Sequence, residues 1–160
     1  MNRLLLIGLV LFVACTDTKE TVFNKEALTA ELISATNIEQ EAFMNGDCET
    51  VKNAFNDDAE IYLNGNRLPS LDMLYNFCNK VPRPFNKPGK EELHTFVQTP
   101  TSGYTIKVMN LEDKDSLGNY TKEVITKVFH KIDDAWKIVH MNSSISKAND
   151  QQGPPQQRNQ

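Results

Sequence analysis

The stretch AWKIVHMNSSIS, Ala135 to Ser146, carries the single tryptophan of the chain, a histidine and a run of hydroxyls. That combination raises the chemistry of a histidine-activated serine. Strand geometry excludes it within this stretch. A strand advances about 3.3 Å per residue and changes face at each step, so Ser143 points away from His140. Ser144 shares the face of His140 but lies roughly 13 Å along the strand, beyond hydrogen-bond reach. A second signal is a pair of lysines inside otherwise apolar strands, Lys107 in TIKVM and Lys127 in ITKVF. If the hairpin between them turns about Leu117, the two are equidistant from its centre and face each other. Like charges so placed destabilise a sheet unless something negative lies between them. The chemistry suggested is an anion site for a small carboxylate. The plainer alternative is two lysines snorkelling to solvent from a rim.

The carboxylates offer no convincing base. Asp57, Asp58, Asp113, Asp115, Asp133 and Asp134 fall in turns or caps, where turn chemistry accounts for them. Glu60 and Glu123 lie in strands, where each reads equally well as a solvated outer residue. Tyr62 and Tyr104 are available hydroxyl donors. His140 is the one candidate catalytic residue, although a lone histidine in an apolar strand is more often structural. No catalytic set is identifiable. His94, His130 and His140 lack ligand spacing and no CxxC motif occurs, so neither a metal nor another cofactor is expected.

What positions these residues begins after the chain start. One positive charge, Arg3, precedes the apolar run LLLIGLVLFVA, which stops at Ala14 and Cys15. It is too short to span a bilayer and reads as a secretory signal. Its end is similar to a bacterial lipoprotein signal, whose cysteine becomes the lipidated N-terminus, although Phe12 replaces the usual leucine. Residues 1–15 are therefore read as signal, 16–23 as a polar tether, 24–146 as one domain and 147–160 as a disordered polar tail. The expected localisation is extracytoplasmic and membrane-anchored. The net charge of −4, with no Lys/Arg cluster, argues against a nucleic-acid partner. Cys48 and Cys78, each on the apolar side of a proposed helix, are expected as buried thiols rather than a disulfide.

Asn24 and Glu26 open a long helix in which Leu28, Leu32, Ala35, Ile38 and Ala42 recur at helical spacing, and Asn45 and Gly46 close it. Asp47 caps a second helix with Cys48, Val51 and Phe55 on one stripe, stopped by NDD. AEIYL alternates and ends in the turn Asn64 and Gly65. Ser70 caps a third helix with Leu71, Leu74, Phe77 and Cys78 inward. KVPRPFNKPGKEE reads as irregular on account of its prolines and glycine. Thereafter the period becomes two, giving strands LHTFVQT, GYTIKVMNLE, NYTKEVITKVFHKI and AWKIVHMNSSIS, the last three joined as hairpins through DKDSLG and DD. Helices followed by an antiparallel meander define an α+β domain. Val124, Thr126 and Val128 lie on one face of their strand and Ile125, Lys127 and Phe129 on the other, so both faces of the sheet need cover.

TKVFHKIDDAWKIVHMNSS, together with MNGDCETVKNAF earlier in the chain, resembles the nuclear transport factor 2-like superfamily. Within it the sequence is similar to SnoaL-like domains and to the association domain of calcium/calmodulin-dependent kinase, over roughly Glu26 to Ser146. The resemblance implies a cone: a curved antiparallel sheet with three N-terminal helices on its concave face, a pocket at the open end and a homodimer through the outer face. It also implies that the association domain's pocket cations match Lys107 and Lys127. Ser143 stands where that family has a third cation, and Asn142 where it has a second histidine.

Register decides whether His140 joins the lysines. A two-residue turn at Asp133 and Asp134 alone sets it opposite Lys127, whereas a bulge or longer loop turns Val139, Met141 and Ser143 inward and His140 outward. The expected ligand-binding set is Lys107, Lys127, His140, Tyr62 and Ser143. The expected function is a tethered small-molecule binding domain. The alternatives are an isomerase or dehydratase using His140, or a structural dimerisation module.

Overall fold

The computed structural model describes residues 23–84, 88–114 and 120–148. The expected signal, nearly all of the tether and the tail beyond residue 148 lie outside the described residues. Phe23, assigned to the tether, packs against the core.

Helix α1, Lys25–Asn45, starts where the Asn24 side chain accepts the Ala27 amide at 3.0 Å, and it ends at Gly46 with φ 80°. That left-handed residue lets the Asp47 amide return to the Ala42 carbonyl at 2.9 Å. Asp47 then caps α2, Cys48–Ala54, by accepting the Thr50 amide at 3.1 Å. The Thr50 hydroxyl and amide hold the Asp47 carboxyl below its ordinary range. Phe55, expected on the helical stripe, instead opens a strand: β1, Phe55–Leu63, includes the NDD expected to stop the helix, so Asp57 and Asp58 lie in a strand and not in a turn or cap. Asn64 and Gly65, both with positive φ, turn it into the short β2, Asn66–Leu68. After α3, Leu71–Lys80, come β3, Pro88–Thr99, β4, Ser102–Lys114, β5, Tyr120–Ile132, and β6, Ala135–Ala148. The strand β3 thus reaches back into the segment expected to be irregular, with Pro88 at its first position, where a missing amide does least harm.

The six strands form one curved, unclosed sheet in the order β2-β1-β6-β5-β4-β3. The meander is antiparallel as expected, but β1 joins it parallel to β6, so the sheet is mixed. α1 packs against β3 and β6, α2 against β6 and β1, and α3 against β1 and β2. The buried stripe of α1 is Leu32, Thr36, Glu39 and Ala42, while Ile38, expected inside, is 57% exposed. In α3, Leu74 and Cys78 are buried, whereas Phe77 lies half outside and stacks on Phe43.

The expected free thiols are a correction. Cys48 and Cys78 form a disulfide, with their Cα atoms 5.7 Å apart, which staples α2 to α3. Arg83 fastens the same corner: its guanidinium donates to the Phe43 carbonyl at 2.8 Å and to the Cys78 carbonyl at 2.9 Å. Those carbonyls belong to the C-terminal turns of α1 and α3, where Arg83 adds donors to the backbone cap. Under α1, the sheet leaves no space at Gly103, where a Cβ would come within 2.7 Å of Leu32 Cδ2 and 2.8 Å of the Phe96 carbonyl.

Candidate functional site

The helix-covered, concave face of the sheet is built from transverse rows of side chains fixed by strand register. At one end Val97, Gly103, Phe129 and Ile138 lie abreast and form an apolar floor under Leu32. The next row is Thr95, Thr105, Lys127, Met141 and Ile61, followed by Leu93, Lys107, Ile125, Ser143 and Leu63. The last row described is Glu91, Met109, Glu123 and Ile145. Burial falls along this direction, from Phe129 at 1% exposure to Ile145 at 52%.

Lys107 and Lys127 are both on this face and both buried, at 6% and 7% exposure. They are not directly opposed: β4 pairs Thr105 with Lys127 and Lys107 with Ile125, so the lysines are diagonal neighbours. The offset from symmetry about Leu117 is two residues, an even number, which preserves the face and changes only the partner. The negative charge that such a pair requires comes from the chain itself. Glu39, buried on α1, pairs with Lys127, and Glu91, from the outermost row on β3, pairs with Lys107. Glu123 shares the face and accepts the Ser143 hydroxyl at 2.6 Å. Thr95 presents a buried hydroxyl oxygen with no hydrogen-bond partner.

His140 and Tyr62 do not join this set. The hairpin turn is the two-residue one, Asp133 and Asp134 with φ 49° and 61°. Beyond it, Phe129 pairs with Ile138 and Val128 with His140, so Val139 is a bulge. From there Met141 and Ser143 face inward, and His140 faces outward against Tyr62, ring centroids 5.8 Å apart. The expected five-residue site divides accordingly: Lys107, Lys127 and Ser143 come together on the concave face, and His140 and Tyr62 sit on the other. Glu60 is also outside, paired with Arg67 at 3.7 Å. Glu39, Glu91 and Thr95 are members that sequence reasoning missed. Glu39 was in view at helical spacing from Leu32 and Thr36. Glu91 was in view by alternation with Leu93.

A second polar contact lies beside the floor, where Glu31 accepts from Lys131 at 2.8 Å and from the Trp136 indole at 3.2 Å. The Lys131 ammonium holds the Glu31 carboxyl below its usual range. Two surface depressions, of about 600 Å³ beside Lys25, Thr29 and Ile33 and about 300 Å³ between Phe55 and Ala135, lie away from Lys107 and Lys127. Among the described residues no group of His, Cys, Asp and Glu is placed to hold a metal ion.

Solved structures place this architecture. The chain is similar to an NTF-2-like protein of unknown function from Shewanella oneidensis, at 19% identity and TM-score 0.54 over 73% of this chain and 98% of that one. It is similar to the association domain of CaMKII from C. elegans, at 16% identity and TM-score 0.59 over 75% and 97%. It is also similar to a ketosteroid isomerase-like protein from Erwinia carotovora atroseptica, at 15% identity and TM-score 0.57 over 77% and 98%. No protein-family model and no curated protein matches the sequence. The chain therefore has the nuclear transport factor 2-like fold. That fold serves proteins of different activity, so the site must carry any statement of function.

Proposed function

We propose that this domain binds a small carboxylate-bearing molecule on the concave face, at Lys107 and its neighbours. The observation that carries the reading is the burial of two lysine side chains on the concave face, with an exchangeable partner on one of them. Lys107 is 7% exposed in its side chain while Glu91, its partner, is 40% exposed. Glu91 can swing into water, and an incoming carboxylate that takes its place on Lys107 keeps the buried ammonium partnered. Charge-assisted hydrogen bonds of this kind contribute roughly 1.5–3 kcal/mol each. Bound ligand then raises the melting temperature by mass action. Pentanoate and other short organic acids should do so for the wild type, and lose most of the effect in Lys107→Met/Glu91→Gln, which removes the pair as a unit. Equal shifts in both forms would defeat the reading.

Two further parts of the proposal concern assembly and place. Ile106, Val108, Val124 and Val128 are half-buried on the outer face, beside Phe96 and Tyr104, which stack at 4.7 Å. A second copy covering that face is the reading favoured here. The chain should sediment as a dimer at micromolar concentration, and a monomer would exclude it. The signal ending in Cys15 supports a lipid-anchored, extracytoplasmic protein. Labelled fatty acid should enter the wild type and not Cys15→Ser. Label in neither form would remove the anchor from the account.

A further inference from the structure

We infer that the ligand is a zwitterion, a small molecule of the amino-acid type carrying both a carboxylate and an ammonium group. This rests on the proposal that the concave lysines hold a ligand, and it follows from how those lysines are already neutralised. Neither ammonium faces an empty site: Lys127 holds Glu39 and Lys107 holds Glu91. The Lys127 pair is locked, with side chains 9% and 6% exposed, because pulling either partner away strands a charge out of water. Exchange is confined to Lys107.

A carboxylate arriving at Lys107 enters between two others. Glu91 and Glu123 flank Met109 in the adjoining row, on strands to either side of β4. Neighbouring strands are about 4.8 Å apart, so both acids lie within one or two strand spacings of the arriving group. A simple anion must overcome that repulsion. A zwitterion avoids it, because its carboxylate takes Lys107 while its ammonium takes the displaced Glu91, with Glu123 on the other flank. Every charge then keeps a partner. The unpartnered Thr95 hydroxyl faces inward one row deeper and can supply a further hydrogen bond to the carboxylate. Half-buried Leu93, Met109 and Ile125 give a short hydrocarbon chain something to lie on.

The test uses three probes that share one carbon chain on the full-length protein: norvaline, pentanoate and pentylamine at neutral pH, read as thermal shift. Norvaline should raise the melting temperature at least threefold more than either of the others at equal concentration. The advantage over pentanoate should vanish in Glu91→Gln, with each shift read against that variant's own melting temperature without probe. If pentanoate matches norvaline, the zwitterion is wrong and the carboxylate site stands. If pentylamine matches norvaline, or if no probe shifts the melting temperature, both are wrong. An advantage that survives Glu91→Gln overturns the assignment of the ammonium to that residue.

Discussion

Glu39→Met should destabilise the fold by about 3–5 kcal/mol, the cost of stranding a buried ammonium by removing its partner. The Glu39 and Lys127 side chains are 6% and 9% exposed, so water cannot substitute for either one. Lys127→Met should cost a similar amount, for the mirror reason. The double variant, Glu39→Met/Lys127→Met, should fall within about 1 kcal/mol of the wild type, since buried ion pairs are often replaced by apolar side chains of like volume with little loss. Urea denaturation of the four forms gives the coupling directly. Single costs below about 1 kcal/mol would mean that the pair is screened by water, as surface pairs are. The concave face would then be open at its centre as well as at its rim.

The other large effect is the disulfide. Cys48 and Cys78 close a sequence separation of 30 residues, for which chain-entropy bookkeeping gives roughly 3–4 kcal/mol. In a domain of this size that corresponds to a melting temperature lower by roughly 10–15 °C in Cys48→Ala/Cys78→Ala. Local unfolding should be concentrated in α3, which loses its covalent tie to α2 and keeps the Arg83 contacts to the Phe43 and Cys78 carbonyls. Hydrogen exchange resolves this: amides of α3 should lose protection ahead of those of β5 and β6. An unchanged melting temperature would show that helix packing alone holds the corner.

The sequence disclosed local features well and pairings between distant segments poorly, for physical reasons visible in particular residues. Asn24, Asp47, Gly46 and the Asp133-Asp134 turn act within a few residues of themselves, so caps and hairpin were legible. Lys107 and Lys127 were legible because a lysine breaks an apolar strand pattern. Their diagonal arrangement was not, because the loop between β4 and β5 sets the register and alternation reveals only the face. The bulge at Val139 is likewise silent in an alternating run, and it alone decides that Ser143 turns in and His140 out. Glu39 escaped notice because a search for apolar periodicity passes over a carboxylate in the buried stripe and selects Ile38, one residue away. The disulfide and the parallel pairing of β1 with β6 depend on which helices and strands meet, a matter settled only by the whole core.

The binding proposal is tested most directly by nuclear magnetic resonance of methionine methyl groups during titration with pentanoate and with norvaline. Met109 and Met141 lie in the concave rows beside the lysines, whereas Met44 and Met73 are on α1 and α3, with 37% and 46% exposure. The expected result is a saturable shift at Met109, accompanied by Met141, with Met44 and Met73 unmoved, and loss of that shift in Lys107→Met/Glu91→Gln. Shifts confined to Met44 or Met73, or none at any methionine up to millimolar probe, would contradict a ligand site on the concave face.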